Sequence, residues 1–357
     1  MIFSGAKNIK LQLFSDDGKA LRLLIIICGV IGLISAIQHW MVLIDKFGSI
    51  SAVLIKANLI YRMRVNGEIS GTIPYLFSVA YSGVFLSGMY IAYKNKLDFV
   101  SIIPFIAVIL KDSASVGRGG IFVGFLEFLI AFFLVRHLLS DKKTVAVGKK
   151  KNLVVTLIVF AALFVVSSTL VKSFRGTFEN FKGATSALNK TKSGAIISPS
   201  IYMYFSSNVG VFSKYFEKGG EDAYFGENTF LPIYNLVSKT GLIKHGDFYP
   251  KGYYIPMWTN SATYLRDLHA DFGYLGLFLA PYLLGLITTF FWFRFFEKGN
   301  ALDYVILGHL VLIISFSVFY MATRSAAFLI SFLFLLAVIP VVERIAVKNI
   351  LRKIKFL

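Results

Sequence analysis

The sequence predicts an all-α polytopic membrane protein with about eight transmembrane helices and one large loop outside the bilayer. Three observations predict it. Hydrophobic residues make up 56% of the 357, and the mean hydropathy is +0.70. Only 16% of the residues are charged, where soluble domains carry about 25%. Several apolar runs approach the ~20 residues that cross a hydrocarbon core.

Apolar length between polar flanks places the spans at roughly 21–44, 72–93, 99–117, 119–139, 153–171, 272–292, 304–321 and 326–341. Lys111 and Asp112 interrupt the third. Orientation follows from loop charge. With the N-terminus inside, the inner segments hold about 19 Lys and Arg, and the short outer segments about seven. Both termini are then expected on the cytoplasmic side. The mixed, polar first residues and the length of the first apolar run give no expectation of a cleavable signal peptide.

Three parts result. Residues 1–171 hold the N-terminal spans, with an outer segment at 45–71. Ile50, Val53, Leu54, Leu59 and Ile60 recur there at near-helical spacing, which fits an interfacial amphipathic helix as well as a solvated loop. Residues 172–271 form the large outer loop, too long for a plain connection. It carries Trp258 and nine tyrosines, at 202, 204, 215, 224, 234, 249, 253, 254 and 264. Residues 272–357 hold the last spans and a basic cytoplasmic tail.

The formal net charge of +18 does not point to nucleic acid, because the cations mostly flank apolar runs as topology signals do. The single cysteine, Cys28, lies inside a span. It excludes a disulfide framework and fits a packed thiol. The sequence has no P-loop, dinucleotide glycine pattern, HExxH or Asp-x-Asp pair. A nucleotide or nucleotide-sugar substrate is therefore not expected, and neither is a metal or other cofactor.

What remains is a set of outer-face arginines. In "KDSASVGRGGIF" at 111–122, Gly117 and Gly119 flank Arg118. Glycines allow close approach of a ligand to the backbone, the following helix N-terminus favours an anion, and a guanidinium fork matches phosphate oxygens. A glycine-rich turn whose arginine reaches lipid phosphates fits the same residues. "TRSA" at 323–326 repeats the pattern with Arg324, and Arg62, Arg64, Arg175 and Arg266 lie on the same expected side. Several arginines converging on one site would suit a diphosphate.

The densest stretch is "TNSATYLRDLHADFGYLG" at 259–276. On a helix Arg266 and His269 share one face, and Asp267 and Asp271 share another. His269 or Asp271 fits a general base; a capping and salt-bridge cluster at a helix mouth fits equally. Glu127 stands inside the fourth span, where a carboxyl is costly and is usually paired or functional. His309 reads as a packing residue.

The chain resembles the Wzy-type oligosaccharide repeat-unit polymerases (O-antigen polymerases). The resemblance is carried by Ser-x-Gly-Arg-Gly at 115–119, by the single large outer loop, and most by "NSATYLRDLHADFGYLG" at 260–276. Family members usually have more spans, and His269 has no secure family counterpart. The resemblance implies a GT-C-like membrane glycosyltransferase in a bacterial inner membrane, with the large loop periplasmic. Its substrates would be undecaprenyl-diphosphate-linked oligosaccharides. A growing glycan would pass as a block from one lipid diphosphate to a repeat unit on another, with a chain-length regulator protein and membrane lipids as partners. Under it, Arg118, Gly117, Gly119, Arg175 and Arg324 would bind diphosphate. Asp271, His269 and Arg266 would be catalytic, and Tyr264, Trp258, Tyr253 and Tyr254 would stack on sugars. An O-antigen ligase with the same donor, or a flippase or transporter for the lipid-linked sugar, are the competing readings.

Overall fold

The computed structural model describes residues 12–57, 59–60, 63, 68–69, 75–114, 117, 119–140, 150–175, 199–221, 223–246, 250–255 and 258–355. The fold is all-α apart from one two-stranded hairpin. Two compact units divide the chain. One comprises Met1–Phe174, Thr288–Val311 and Ile330–Leu357; the other comprises Arg175–Ile287 and Leu312–Leu329.

In the first unit the chain runs through α1 (Lys19–Phe47), α2 (Ile50–Ile55), α3 (Ser78–Lys94), α4 (Ile103–Ala114), α5 (Gly119–Ser140) and α6 (Lys150–Arg175). The α3 helix is the centre, buried on every side from Ser78 to Ala92. Small residues let its neighbours approach: a Cβ at Gly88 would stand 2.4 Å from the Phe128 carbonyl oxygen. Close backbone approach of this kind is how helices associate where lipid removes the hydrophobic drive. Ring stacking joins α5 to α6, with Phe128 and Phe160 centroids 3.7 Å apart. Polar ties are few and internal. Tyr304 donates to the Ala131 carbonyl at 2.6 Å, and the Ser82 and Ser331 hydroxyls meet at 2.9 Å.

The outer segment at 45–71 is described in part. Ser49 caps α2 by accepting the Ala52 N–H at 3.1 Å. Val53 and Ile60 are buried with Leu43 and Ala114, while Ile50, Ile55 and Leu59 are exposed. The segment is thus two-faced, as an amphipathic helix requires. Arg62 and Arg64 lie outside the described residues.

The second unit contains α7 (Pro199–Glu217), α8 (Leu231–Ser238), the hairpin β1 (Tyr253–Tyr254) and β2 (Trp258–Thr259), and the first part of α9 (Tyr264–Lys298). It is completed by the end of α10 (Ala301–Phe316), the 3₁₀ turn Ala322–Arg324 and the start of α11 (Ala326–Lys355). Val211, Tyr215, Tyr253 and Ala262 form its core, with Phe212, Phe216 and Ile255 packed against them.

Four helices are long and apolar enough to cross a membrane: Lys19–Phe47, Gly119–Leu139, Tyr264–Lys298 and Ala326–Asn349. Val154–Ser167 and Ala301–Phe316 are shorter apolar helices. The chain is therefore a membrane-embedded all-α protein, and the count of eight spans rests on the sequence. The expected third span is a 3₁₀ turn, Phe99–Ile102, followed by α4, which ends at Ala114. The expected seventh begins in a helix that stops at Phe316.

The sixth expected span starts at 272, but the helix begins at Tyr264 and breaks at Gly273 (φ 61°, ψ −151°). Only glycine holds that backbone without strain. Past the break, a Cβ at Gly276 would lie 2.4 Å from the Leu268 carbonyl oxygen. Both glycines of the Asp-Phe-Gly-x-Leu-Gly motif are thus demanded by local geometry. The break separates a charged segment, 264–272, from the apolar helix that follows.

Candidate functional site

The charged segment ahead of Gly273 is helical, so its residues project at known angles. Asp267 and Asp271, four apart, serve one network. Arg324 Nη1 donates to Asp267 Oδ1 at 2.7 Å and to Asn228 Oδ1 at 2.5 Å. Asn228 in turn donates to Asp271 Oδ1 through its backbone N–H (2.9 Å) and its Nδ2 (2.8 Å). The Thr229 N–H donates to Asp271 Oδ2 at 2.6 Å, and Thr323 Oγ1 donates to the Thr229 carbonyl at 2.5 Å. Asp267, Asp271 and Arg324 are all buried. Asp271 therefore anchors the 225–230 turn, with both oxygens engaged by donors that stabilise its charged form.

Arg266 forms a second network. It is only 1% exposed. Its Nη2 reaches both Glu221 oxygens at 2.7 Å and the Lys251 carbonyl at 2.8 Å. The guanidinium lies 5.4 Å from the Tyr253 ring centre and 5.6 Å from that of Tyr215, within cation–π range. Tyr253 donates to Glu221 Oε1 at 2.7 Å. Burial, together with the Glu221 charge, pushes the Tyr253 phenol up to about 12. Among the described residues, Arg266 Nη1 has no hydrogen-bond partner.

His269 has a different setting. Its Nδ1 and the Tyr215 hydroxyl are 2.7 Å apart. Phe216, Tyr274 and Tyr215 surround the ring, with centroids 4.7, 5.1 and 5.5 Å away. Burial holds the imidazole below its ordinary value, which keeps it neutral at pH 7. The same cause raises the Tyr215 phenol. His269 is half-buried, unlike its charged neighbours.

The sequence-expected residues therefore divide. Arg266, Asp267, His269, Asp271 and Arg324 come together in the second unit. Tyr253 is buried within the Arg266 network, Tyr264 is half-buried with its N–H on the Ser317 carbonyl (2.8 Å), and Tyr254 and Trp258 are exposed. The Trp258 indole lies over Gly252, where a Cβ would stand 2.4 Å from its Nε1. Arg118 lies outside the described residues. Arg175 closes α6, and its side chain is not among those described. Gly117 donates to the Asp112 carbonyl at 2.9 Å. Gly119 opens α5 with free space where a Cβ would stand.

Lys111 and Asp112 pair at 3.2 Å, as their adjacency allows. Gly120 is required by this pair's surroundings: a Cβ there would come within 2.1 Å of both Asp112 Oδ2 and the Tyr81 hydroxyl. His309 is buried, with Nδ1 2.8 Å from the Val305 carbonyl.

Four residues that organise the site had no signal in the sequence: Tyr215, Glu221, Asn228 and Thr229. Each meets its partner across more than 40 residues of chain, from 42 for Thr229 to 96 for Asn228 with Arg324. No group of three or more His, Cys, Asp or Glu fit to hold a metal occurs among the described residues.

Fold and site together define a membrane-embedded all-α protein with a charged and aromatic cluster gathered at the start of an apolar helix. No family model matches the chain, and no curated protein or solved structure matches it.

Proposed function

We propose that this protein polymerises lipid-linked oligosaccharide repeat units at the outer face of a bacterial inner membrane. The growing glycan moves from undecaprenyl diphosphate to a repeat unit on a second undecaprenyl diphosphate. The observation that carries this reading is the placement of Arg324, fixed by Asp267 and Asn228 next to the break where the apolar helix begins. A lipid diphosphate presents its charge at that level of a membrane, with its tail along apolar helices. The resemblance of residues 260–276 to the polymerase family supports the same substrate.

The chemistry requires a cation for the leaving diphosphate and a base for the acceptor hydroxyl. Arg324 is the cation. Arg266 braces the wall through Glu221 rather than meeting substrate, since it is sealed from solvent. Asp271, engaged by three donors, holds the 225–230 turn. His269 is then the base. With Nδ1–H donating to Tyr215, its Nε2 accepts the acceptor hydroxyl's proton. The new C–O bond forms at the sugar carbon as its bond to the diphosphate oxygen breaks, and the electron pair leaves with undecaprenyl diphosphate. Exposed Tyr254 and Trp258 offer faces for sugar stacking.

The test is a gel of surface glycolipid from a strain lacking the gene, then complemented with variants. Collapse of the ladder to core plus one repeat unit is expected, with Arg324→Ala and His269→Ala failing to restore it. A normal ladder from stably expressed Arg324→Ala and His269→Ala would remove both from the site. Polymer retained on the lipid carrier with bare core would make the protein a ligase, and loss of all repeat units a flippase.

A further inference from the structure

We propose that residues 224–245 dock on the lipid surface, with α8 lying in the headgroup region of an anionic membrane. The proposal does not depend on the glycan reading. Ile233, Leu236 and Val237 fall at i, i+3 and i+4 of α8, one helix face, and all three are exposed. The opposite side is fixed. Leu231 is buried, and Asn235 exchanges hydrogen bonds with Gly246, donating to its carbonyl at 3.1 Å and accepting its N–H at 2.8 Å. The helix is therefore held with its apolar face outward. Phe225 (85% exposed), Phe230 and Leu242 (81%) flank that face. Surfaces meeting only water carry such residues singly rather than in one contiguous stretch.

Two observations select lipid as the occupant. The first is continuity with the apolar helix. The Phe225 ring lies 4.8 Å from Phe272, edge on, immediately before the Gly273 break. Beyond the break Tyr274, Leu275 and Phe278 are exposed on a helix long and apolar enough to cross a membrane. Phe225 thus sits where that helix would meet the headgroups, and α8 follows within a few residues. The second is charge. Lys239 and Lys244 are exposed at the C-terminal end of α8, and no Asp or Glu occurs from 228 to 246. A short apolar face edged by lysines is the pattern of an interfacial helix on anionic lipid.

The experiment uses the full chain in nanodiscs holding one copy each. Cys28 is the single native cysteine and is buried, so introduced cysteines label selectively. Leu236→Cys, Leu242→Cys and, as an exposed control on α7, Ser213→Cys each receive an environment-sensitive NBD fluorophore. In phosphatidylglycerol-containing discs, the labels at 236 and 242 are expected to shift to the blue. Spin labels placed shallow in the lipid should quench them several-fold more than the control. Lys239→Glu with Lys244→Glu should weaken that quenching in anionic discs and leave it unchanged in neutral ones. Solvent-like emission at both positions would overturn the proposal. So would a blue shift without lipid quenching, which would mean that protein covers the face. An equal effect of the lysine changes in anionic and neutral discs would overturn the pairing with headgroups. The two labelling sites are independent, one in α8 and one beyond it, so failure of one variant to fold leaves the other decisive.

Discussion

The buried charges of the two units are handled in opposite ways. In the second unit Arg324, Asp267 and Asp271 form a chain in which each charged group meets its partner at 2.5–2.9 Å. In the first unit Glu127 is 1% exposed on α5, and neither carboxyl oxygen has a hydrogen-bond partner among the described residues. A paired network fixes loops that would otherwise move, because removing any member strands the others. A lone buried carboxyl fixes nothing and carries only its desolvation cost. Charge in one unit therefore supports the fold, while in the other it opposes it.

The largest effect is expected from Arg324→Leu. It leaves Asp267 buried without its cation and releases Asn228, and so loosens the turn that Asp271 holds. Breaking one partner of a buried pair costs about 3–5 kcal/mol. Thermal unfolding of the purified variant should show a large fall in Tm. The double variant Asp267→Leu/Arg324→Leu should lose less than the sum of the two single changes. Strict additivity would mean that the two residues do not act as a pair.

Glu127→Leu tests the other side with the opposite sign. Removing an unsatisfied buried polar group relieves a cost of about 1–3 kcal/mol, so Tm should rise. A fall would place a partner on Glu127 and make the two units alike. Activity follows separately: loss of polymer in the stabilised variant would show that Glu127 is kept for function at the expense of stability.

The sequence showed the apolar helices because length and hydropathy act locally. It also showed that Asp267 and Asp271 share a face, since a four-residue spacing needs only a helix, and α9 does begin at Tyr264. The break at Gly273 was legible only as a motif. Its cause is backbone geometry, φ 61° at Gly273 and contact of Gly276 with the Leu268 carbonyl, which no hydropathy pattern carries. The state of each charged side chain was not legible at all. Arg266 and Arg324 look alike in sequence, yet one is sealed between two tyrosines on Glu221 and the other ties a turn through Asn228. Glu221 and Asn228 are ordinary polar residues until the fold brings distant segments together. Nothing local distinguishes them from Glu217, which meets only Lys214 on its own helix.

That last pair gives the smallest expected effect. Lys214 and Glu217 stand three apart on α7 with side chains 46% and 53% exposed. Water solvates both groups in the folded and unfolded states, and holding two long side chains in one geometry costs entropy. Such pairs contribute at most about 0.5 kcal/mol. Lys214→Ala should leave Tm within error, and added salt should change that result little. The comparison turns on this outcome as much as on the first. If Lys214→Ala destabilised the protein as much as Arg324→Leu, pairing alone would set the worth of a charge here. A negligible effect beside a large one for Arg324 assigns that worth to burial. The residues then needed to hold the site are those that the fold removes from water.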